Sequence, residues 1–345
     1  MSEIPENSEP ITAENPSAET IAAPSQMLPV MKFREDMQRE LGKVIVGQHK
    51  LSEELLVTIL ANGHALLEGV PGVAKTLIAK TIARLLNIEF RRIQFTPDLM
   101  PSDIVGTKIF DFSSSAFKIQ KGPVFSNIVL IDEVNRAPAK TQSALLEVME
   151  ERQVTIEGET FILSDPFLVL ATQNPVEFEG TYSLPEAQMD RFLMKINVDY
   201  PNEEEELEIL NRFNSGALSL GKSTETTIVL NPVANAAKLS DLRNLVGKVL
   251  VEPGILSYIN KIVRATRNHP FLFMGSSPRG NISLLSAVKA LAALRGRDYV
   301  NPDDVKELTA PVLRHRVILS PEAELEGLNT DQVLKEIAEQ TLVPR

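Results

Sequence analysis

Residues 64–76 read His-Ala-Leu-Leu-Glu-Gly-Val-Pro-Gly-Val-Ala-Lys-Thr. A short apolar strand at His64–Glu68 runs into a turn of small residues, and a helix is expected from Lys75 to Leu86. That sequence of elements is the setting a phosphate-binding loop requires. Small residues let backbone N–H groups converge on phosphate oxygens, and the helix N-terminus adds its partial positive charge. The cradle so formed comprises Gly69, Val70, Pro71, Gly72, Val73 and Ala74, continued by Lys75, Thr76 and Leu77. Lys75 is placed to reach the β- and γ-phosphates of ATP, and the Thr76 hydroxyl to bind Mg²⁺. Ala74 stands where the usual pattern has a second glycine. Taken alone, the motif still leaves room for a tight strand-to-helix turn with an incidental lysine.

A second segment narrows the choice. Ile128-Val-Leu-Ile-Asp-Glu133 is an apolar strand, Asn127 to Asp132, that ends in two carboxylates. At such a tip Asp132 can hold Mg²⁺ through water, and Glu133 can polarise the water that attacks a γ-phosphate. The next buried strand, Phe167 to Thr172, is followed by Asn174 before Pro175. A neutral amide there can hydrogen-bond both the γ-phosphate and the attacking water without competing for the proton. The alternative for Asn174 is a turn residue before proline.

Strand, turn, helix and a further strand at Glu89–Phe95 indicate an α/β domain with a largely parallel sheet. Two polar insertions, about 106–121 and 153–163, alternate around turns and are expected to be β-hairpins. After Tyr200 the pattern changes: Glu203–Glu208 opens a helix, and from about Leu239 onward only helical patterns occur, at Glu252–Asn268, Arg279–Arg295, Pro302–Leu313 and Asp331–Gln340. The expected organisation is therefore an acidic disordered tail (1–28), an α/β nucleotide-binding domain (29–214), a linker (215–238) and a small all-helical domain (239–345). Within the second of these, order is expected to begin near Met31, where Phe33, Met37 and Leu41 recur at helical spacing.

Composition then bounds the chemistry. Of 345 residues, 43% are hydrophobic and 23% charged, the signature of an ordinary soluble globular protein. A net charge of −11 repels a phosphate backbone, so nucleic acid is a disfavoured partner. With no cysteine, disulfides, thiolate metal sites and a cysteine nucleophile are excluded together, and the reducing cytoplasm is the expected location. The four histidines are widely scattered, so a metal cluster or catalytic triad built on them is not expected.

The run of Ile45-Val-Gly-Gln48, Gly69–Thr76, Gln94-Phe-Thr-Pro-Asp-Leu-Met-Pro-Ser-Asp103, Asp132-Glu-Val-Asn-Arg-Ala137, Ala171-Thr-Gln-Asn-Pro175, Leu184-Pro-Glu-Ala-Gln-Met-Asp-Arg-Phe192 and Ser277-Pro-Arg-Gly280 resembles the MoxR family of AAA+ ATPases. The match extends from about Met31 to the C-terminus and includes the alanine before the loop lysine. The resemblance implies a P-loop fold with inserted hairpins and an all-α lid. It places Val46 and Gly47 in the segment that wraps the adenine. Arg191 matches the arginine finger that completes a ring neighbour's site, and Arg279 matches the second sensor at the start of a lid helix. For Arg191 the alternative is a surface ion pair with Asp190 or Glu186; for Arg279 it is a helix-surface arginine. The resemblance further implies a hexameric ring and hydrolysis that changes the angle between the α/β domain and the lid. It also implies chaperone-like maturation of protein clients, often with partners carrying a von Willebrand factor A domain. Phe110, Phe112 and Phe117 in the first hairpin are candidates for client contact, although hairpins need apolar cross-strand pairs merely to be stable. Two rival readings share these motifs: a related motor acting on nucleic acid or in metal insertion into a tetrapyrrole, and a nucleotide-gated scaffold with little turnover.

Overall fold

The computed structural model describes residues 26–70, 72–174, 182, 184–216 and 228–344. Expectations for residues 1–25 of the tail, for Pro71, for Pro175 and for 217–227 of the linker lie outside the described residues. In chain order the strands are β1 (Ala65–Glu68), β2 (Phe90–Gln94), β3 (Gly106–Asp111), β4 (Ala116–Lys121), β5 (Ile128–Asp132), β6 (Gln153–Ile156), β7 (Glu159–Ile162), β8 (Leu168–Gln173), β9 (Met194–Asn197), β10 (Leu272–Met274) and β11 (Ile318–Leu319). The main sheet has the order β2-β5-β8-β1-β9, and every pair in it is parallel. Parallel strands are covered on both faces, which is why β5 is buried throughout and apolar up to its final residue, Asp132.

Strand periodicity divides the core in two. Ala65, Leu67, Ile128, Leu130, Leu168, Leu170, Met194 and Ile196 pack on one face. Their alternates Leu66, Val129, Ile131, Val169 and Ala171 pack on the other. The first face is covered by α1 (Leu28–Leu41), α2 (His49–Leu60) and α3 (Lys75–Leu85), and the same core continues into the C-terminal helices through residues such as Leu284, Leu291 and Leu313. The second face is covered by α5 (Ala139–Glu151) through Leu145, Leu146 and Met149.

Helical order starts at Leu28, three residues before the expected start near Met31. Proline in the first turn has its φ already set for a helix, and Met27 and Val30 are buried, so the segment is anchored by apolar burial. Both insertions are antiparallel hairpins: β3 pairs with β4, and β6 with β7. Glu157 and Gly158, with φ of 49° and 84°, make the left-handed two-residue turn that matches strand twist.

The C-terminal unit contains helices Ala236–Gly247, Pro253–Ala265, Pro278–Leu294, Pro302–Leu313, Pro321–Leu325 and Thr330–Gln340. The first of these begins inside the segment expected to be a linker. Its start is set by Asn235, whose side chain accepts a hydrogen bond from the Lys238 N–H, and its apolar side is held by Leu239, Leu242 and Val246. The unit also holds a small antiparallel ladder, β10 with β11. That pairing joins segments more than forty residues apart, so local helical periodicity carries no sign of it. Among the described residues, no helix is long and apolar enough to cross a membrane.

Candidate nucleotide site

The parallel order puts the carboxyl ends of β1, β8, β5 and β2 side by side, and ligands of open α/β sheets bind at that edge. A cleft of about 380 Å³ lies there, lined by Gly72, Ala74, Lys75, Thr76, Leu77, Arg92, Gln94, Asp132, Glu133, Thr172 and Asn174. The loop from β1 and the acidic tip of β5, more than fifty residues apart in sequence, thus share one cavity.

The loop is shaped by two left-handed residues. Gly72 has φ of +88°, a conformation that glycine alone adopts freely. Ala74 has φ of 61° and ψ of 19°, so the residue in place of the expected glycine still adopts the glycine-like backbone. The Lys75 ammonium donates to the Gly69 carbonyl at 2.6 Å. Burial pushes its pKa below the ordinary lysine value, and the charges of Asp132, Glu68 and Glu133 push it back up.

Asp132 is buried, and its carboxylate is held on both oxygens. Arg92 Nε donates to Oδ2 at 2.5 Å, and the Thr172 hydroxyl donates to Oδ1 at 3.2 Å. The same hydroxyl accepts from the Glu133 N–H at 3.0 Å, so one side chain of β8 fixes the turn that carries both acids. Glu133 follows in a left-handed conformation, φ of 57°. Its Oε2 accepts from Gln94 Nε2 at 2.8 Å and lies 2.9 Å from Arg136 Nε. The donors offered to a metal, the Thr76 hydroxyl and the Asp132 carboxylate, are hard oxygens that suit Mg²⁺. Among the described residues, no cluster of three His, Cys, Asp or Glu side chains forms a metal cage of its own. The donor set fits an ion that completes its octahedron with phosphate oxygens and water.

Arg92, Gln94 and Thr172 were not singled out from sequence. Arg92 and Gln94 alternate with buried Ile93 along β2, and the β2–β5 register sets Gln94 opposite Asp132. The only sequence sign of Arg92 and Gln94 is a polar alternation on what proves to be an edge strand, and Thr172 is a lone hydroxyl in an apolar one.

Several other expected residues fall outside the lining of the cleft. Val46, Gly47, Gly69, Val70 and Val73 do not line the cleft. Gly47 turns left-handed against α7 (Glu203–Asn214), where a methyl group would collide with the Glu205 side chain. Arg191 lines a separate cleft of about 480 Å³ with Ser143, Glu147, Glu150, Glu151 and Gln188. Its Nε donates to Glu150 Oε2 at 2.6 Å, so its ion-pair partner is neither Asp190 nor Glu186. Arg279 reaches the same carboxylate, donating to Oε1 at 2.9 Å. The two arginines hold the Glu150 carboxyl below its ordinary pKa, the Arg191 hydrogen bond contributing most.

Comparison with known proteins agrees with this architecture. A model of the ATPase family associated with various cellular activities (AAA) matches residues 64–194, and an AAA lid domain model matches residues 264–337. The chain is 45% identical over 321 residues to the uncharacterized protein YeaC of Bacillus subtilis, across 91% of this chain and 98% of that protein. It is also 45% identical over 315 residues to Chaperone MoxR1 of Mycobacterium tuberculosis, across 89% of this chain and 81% of the relative. A crystal structure described as that of a candidate ATPase from Cytophaga hutchinsonii superimposes with a TM-score of 0.83. It is 44% identical and covers 92% of this chain and 97% of that one.

Proposed function

The chain belongs to the MoxR family of AAA+ ATPases, and from that premise we propose that it hydrolyses ATP between the subunits of a ring, hexameric by family expectation, to remodel or mature partner protein complexes. One observation carries the reading: the loop Gly72–Thr76, Asp132, Glu133 and Asn174 converge on a single cleft.

Within that cleft the loop ending in Gly72–Thr76 and the Lys75 ammonium bind the phosphates, while Val46 and Gly47, outside its lining, take the adenine beyond it. Thr76 and Asp132 are the residues that would hold Mg²⁺, which would supply neutralising charge to the β- and γ-phosphates. Glu133 accepts a proton from the attacking water as its oxygen bonds to the γ-phosphorus and the bond to the β-bridging oxygen breaks, leaving ADP and phosphate. Asn174 orients that water and the γ-phosphate. Arg191 and Arg279 lie off their own cleft, which suits delivery to a neighbour's site, where a planar and permanently charged guanidinium stabilises charge developing on the γ-phosphoryl group.

The client is a protein, with von Willebrand factor A domain proteins as the leading class. Phe112 and Phe117 support that role, being 87% and 65% exposed at the end of the β3–β4 hairpin. Nucleic acid is disfavoured by the net charge of −11, and the expected location is cytoplasmic.

The direct test is phosphate release by the full chain and by Glu133→Gln. Loss of the base should slow turnover by about 10²–10⁴-fold while ATP binding persists. Equal turnover by the two proteins contradicts hydrolysis and returns the scaffold reading.

A further inference from the structure

Arg191 and Arg279 come from different parts of the chain, yet one carboxylate takes both. Glu150, near the end of α5, gives Oε2 to Arg191 at 2.6 Å and Oε1 to Arg279 at 2.9 Å. Behind this fork lies a second, buried one. Arg316, 5% exposed, donates through Nε to Asp190 Oδ1 at 2.6 Å. Its Nη2 donates to the carbonyl of Phe192 at 2.6 Å and to Ser283 Oγ at 3.0 Å, and its Nη1 donates to the carbonyl of Leu193 at 3.2 Å. Asp190, the chain neighbour of Arg191, uses its other oxygen to accept from Ser277 Oγ at 3.0 Å. Ser277 caps the helix that begins with Pro278 and Arg279, and its hydroxyl oxygen accepts the Arg279 N–H at 3.1 Å.

We infer that Glu150, together with the buried Asp190–Arg316 pair, consists of positioning residues that fix Arg191 and Arg279 as a single two-pronged element presented to the neighbouring subunit's nucleotide. This deepens the proposed function and rests on its reading of the two arginines as acting in trans. Two guanidiniums at one spot repel each other, and each long side chain has many rotamers. Glu150 offsets the repulsion and selects the rotamers in which both prongs stand together. A contribution to stability does not account for it. The fork is on the surface, with Arg191 29%, Glu150 35% and Arg279 43% exposed, and ion pairs so placed add little to folding. The buried pair sets the backbone on which the fork stands. Through it, the segment 190–193 and the first turn of the lid helix are tied to one another before any neighbour arrives.

The test uses full-length protein and reads kcat, KM for MgATP and affinity for a non-hydrolysable ATP analogue. Glu150→Gln keeps the shape of the side chain and removes its charge. It should lower kcat by about ten- to a hundredfold, the loss expected for a catalytic group displaced by about an ångström, with KM and analogue affinity unchanged. Mixing Glu150→Gln with Lys75→Ala, whose own loop is disabled but whose arginines are intact, should raise turnover above that of either alone. Arg191→Ala mixed with Lys75→Ala is the reference for that rescue. Undiminished kcat in Glu150→Gln, or rescue in the reference mixture but not in the Glu150→Gln mixture, overturns the positioning role. Full turnover by Arg191→Ala alone would instead remove the trans reading, and this inference with it.

Discussion

At the scale of single residues, the candidate site divides into what lies along the chain and what is brought in by strand register. Lys75, Thr76, Asp132 and Glu133 were legible because each sits at a strand end or helix start that its own neighbours specify. Arg92 and Thr172 were not, because their meeting at Asp132 depends on which strands lie beside β5. Ala74 shows why a pattern of residue types is weaker than a pattern of backbone shapes: alanine occupies the left-handed position at a strain of about 1 kcal/mol. His64 carries a separate consequence. It is buried beneath β8, accepts the Val169 N–H at Nδ1 at 2.9 Å, and so carries its own proton on Nε2, which lies 3.1 Å from the Met149 carbonyl. Burial pushes its pKa from 6.5 down to about 4. Above pH 6.5 the ring is neutral folded or unfolded, and its contribution to stability is complete. As pH falls from 6.5 towards 4 the unfolded chain takes up the proton first, and roughly 3 kcal/mol is lost. Buried His315, also held well below the ordinary value, acts in the same direction. The urea midpoint should therefore fall steadily over that interval; a midpoint indifferent to pH there contradicts the assignment.

At the scale of elements, the signals that worked were those with a local mechanism. The helix Pro302–Leu313 follows from Asn301, whose side chain accepts the Asp304 N–H at 2.9 Å while Asp304 accepts the Asn301 N–H at 3.0 Å. Asp304 is fully buried and also paired with Arg297, so this cap ties the helix to the preceding turn. Asn301→Ala should cost about 1 kcal/mol, and Asn301→Ser should retain most of it. Thermal melting of the two variants checks this, and equal melting by wild type and Asn301→Ala would contradict it. The elements without a local signature were the short ones. β9 has four residues and exists because it can pair with β1, and β11 has two and exists because it can pair with β10. Neither is marked by a phosphate loop or a hairpin turn, as the short strands β1, β6 and β7 are, so only the assembled sheet reveals them.

At the scale of the whole molecule, the sheet and the C-terminal helices share one hydrophobic core, reinforced by the Arg316 fan into residues 190–193. A joint so heavily packed resists movement of the lid independent of its own sheet. The change of sheet-to-lid angle implied by the family resemblance would have to rearrange this shared core. All of this presupposes that the cleft at the carboxyl edge of the sheet holds Mg-ATP. Calorimetric titration of the full chain with ATP, with and without Mg²⁺, alongside Lys75→Ala, tests that most directly. Saturable binding stoichiometric with the chain, strengthened by Mg²⁺ and lost in Lys75→Ala, is the expected result. Absence of binding by the wild-type chain, or binding indifferent to Lys75, would contradict it.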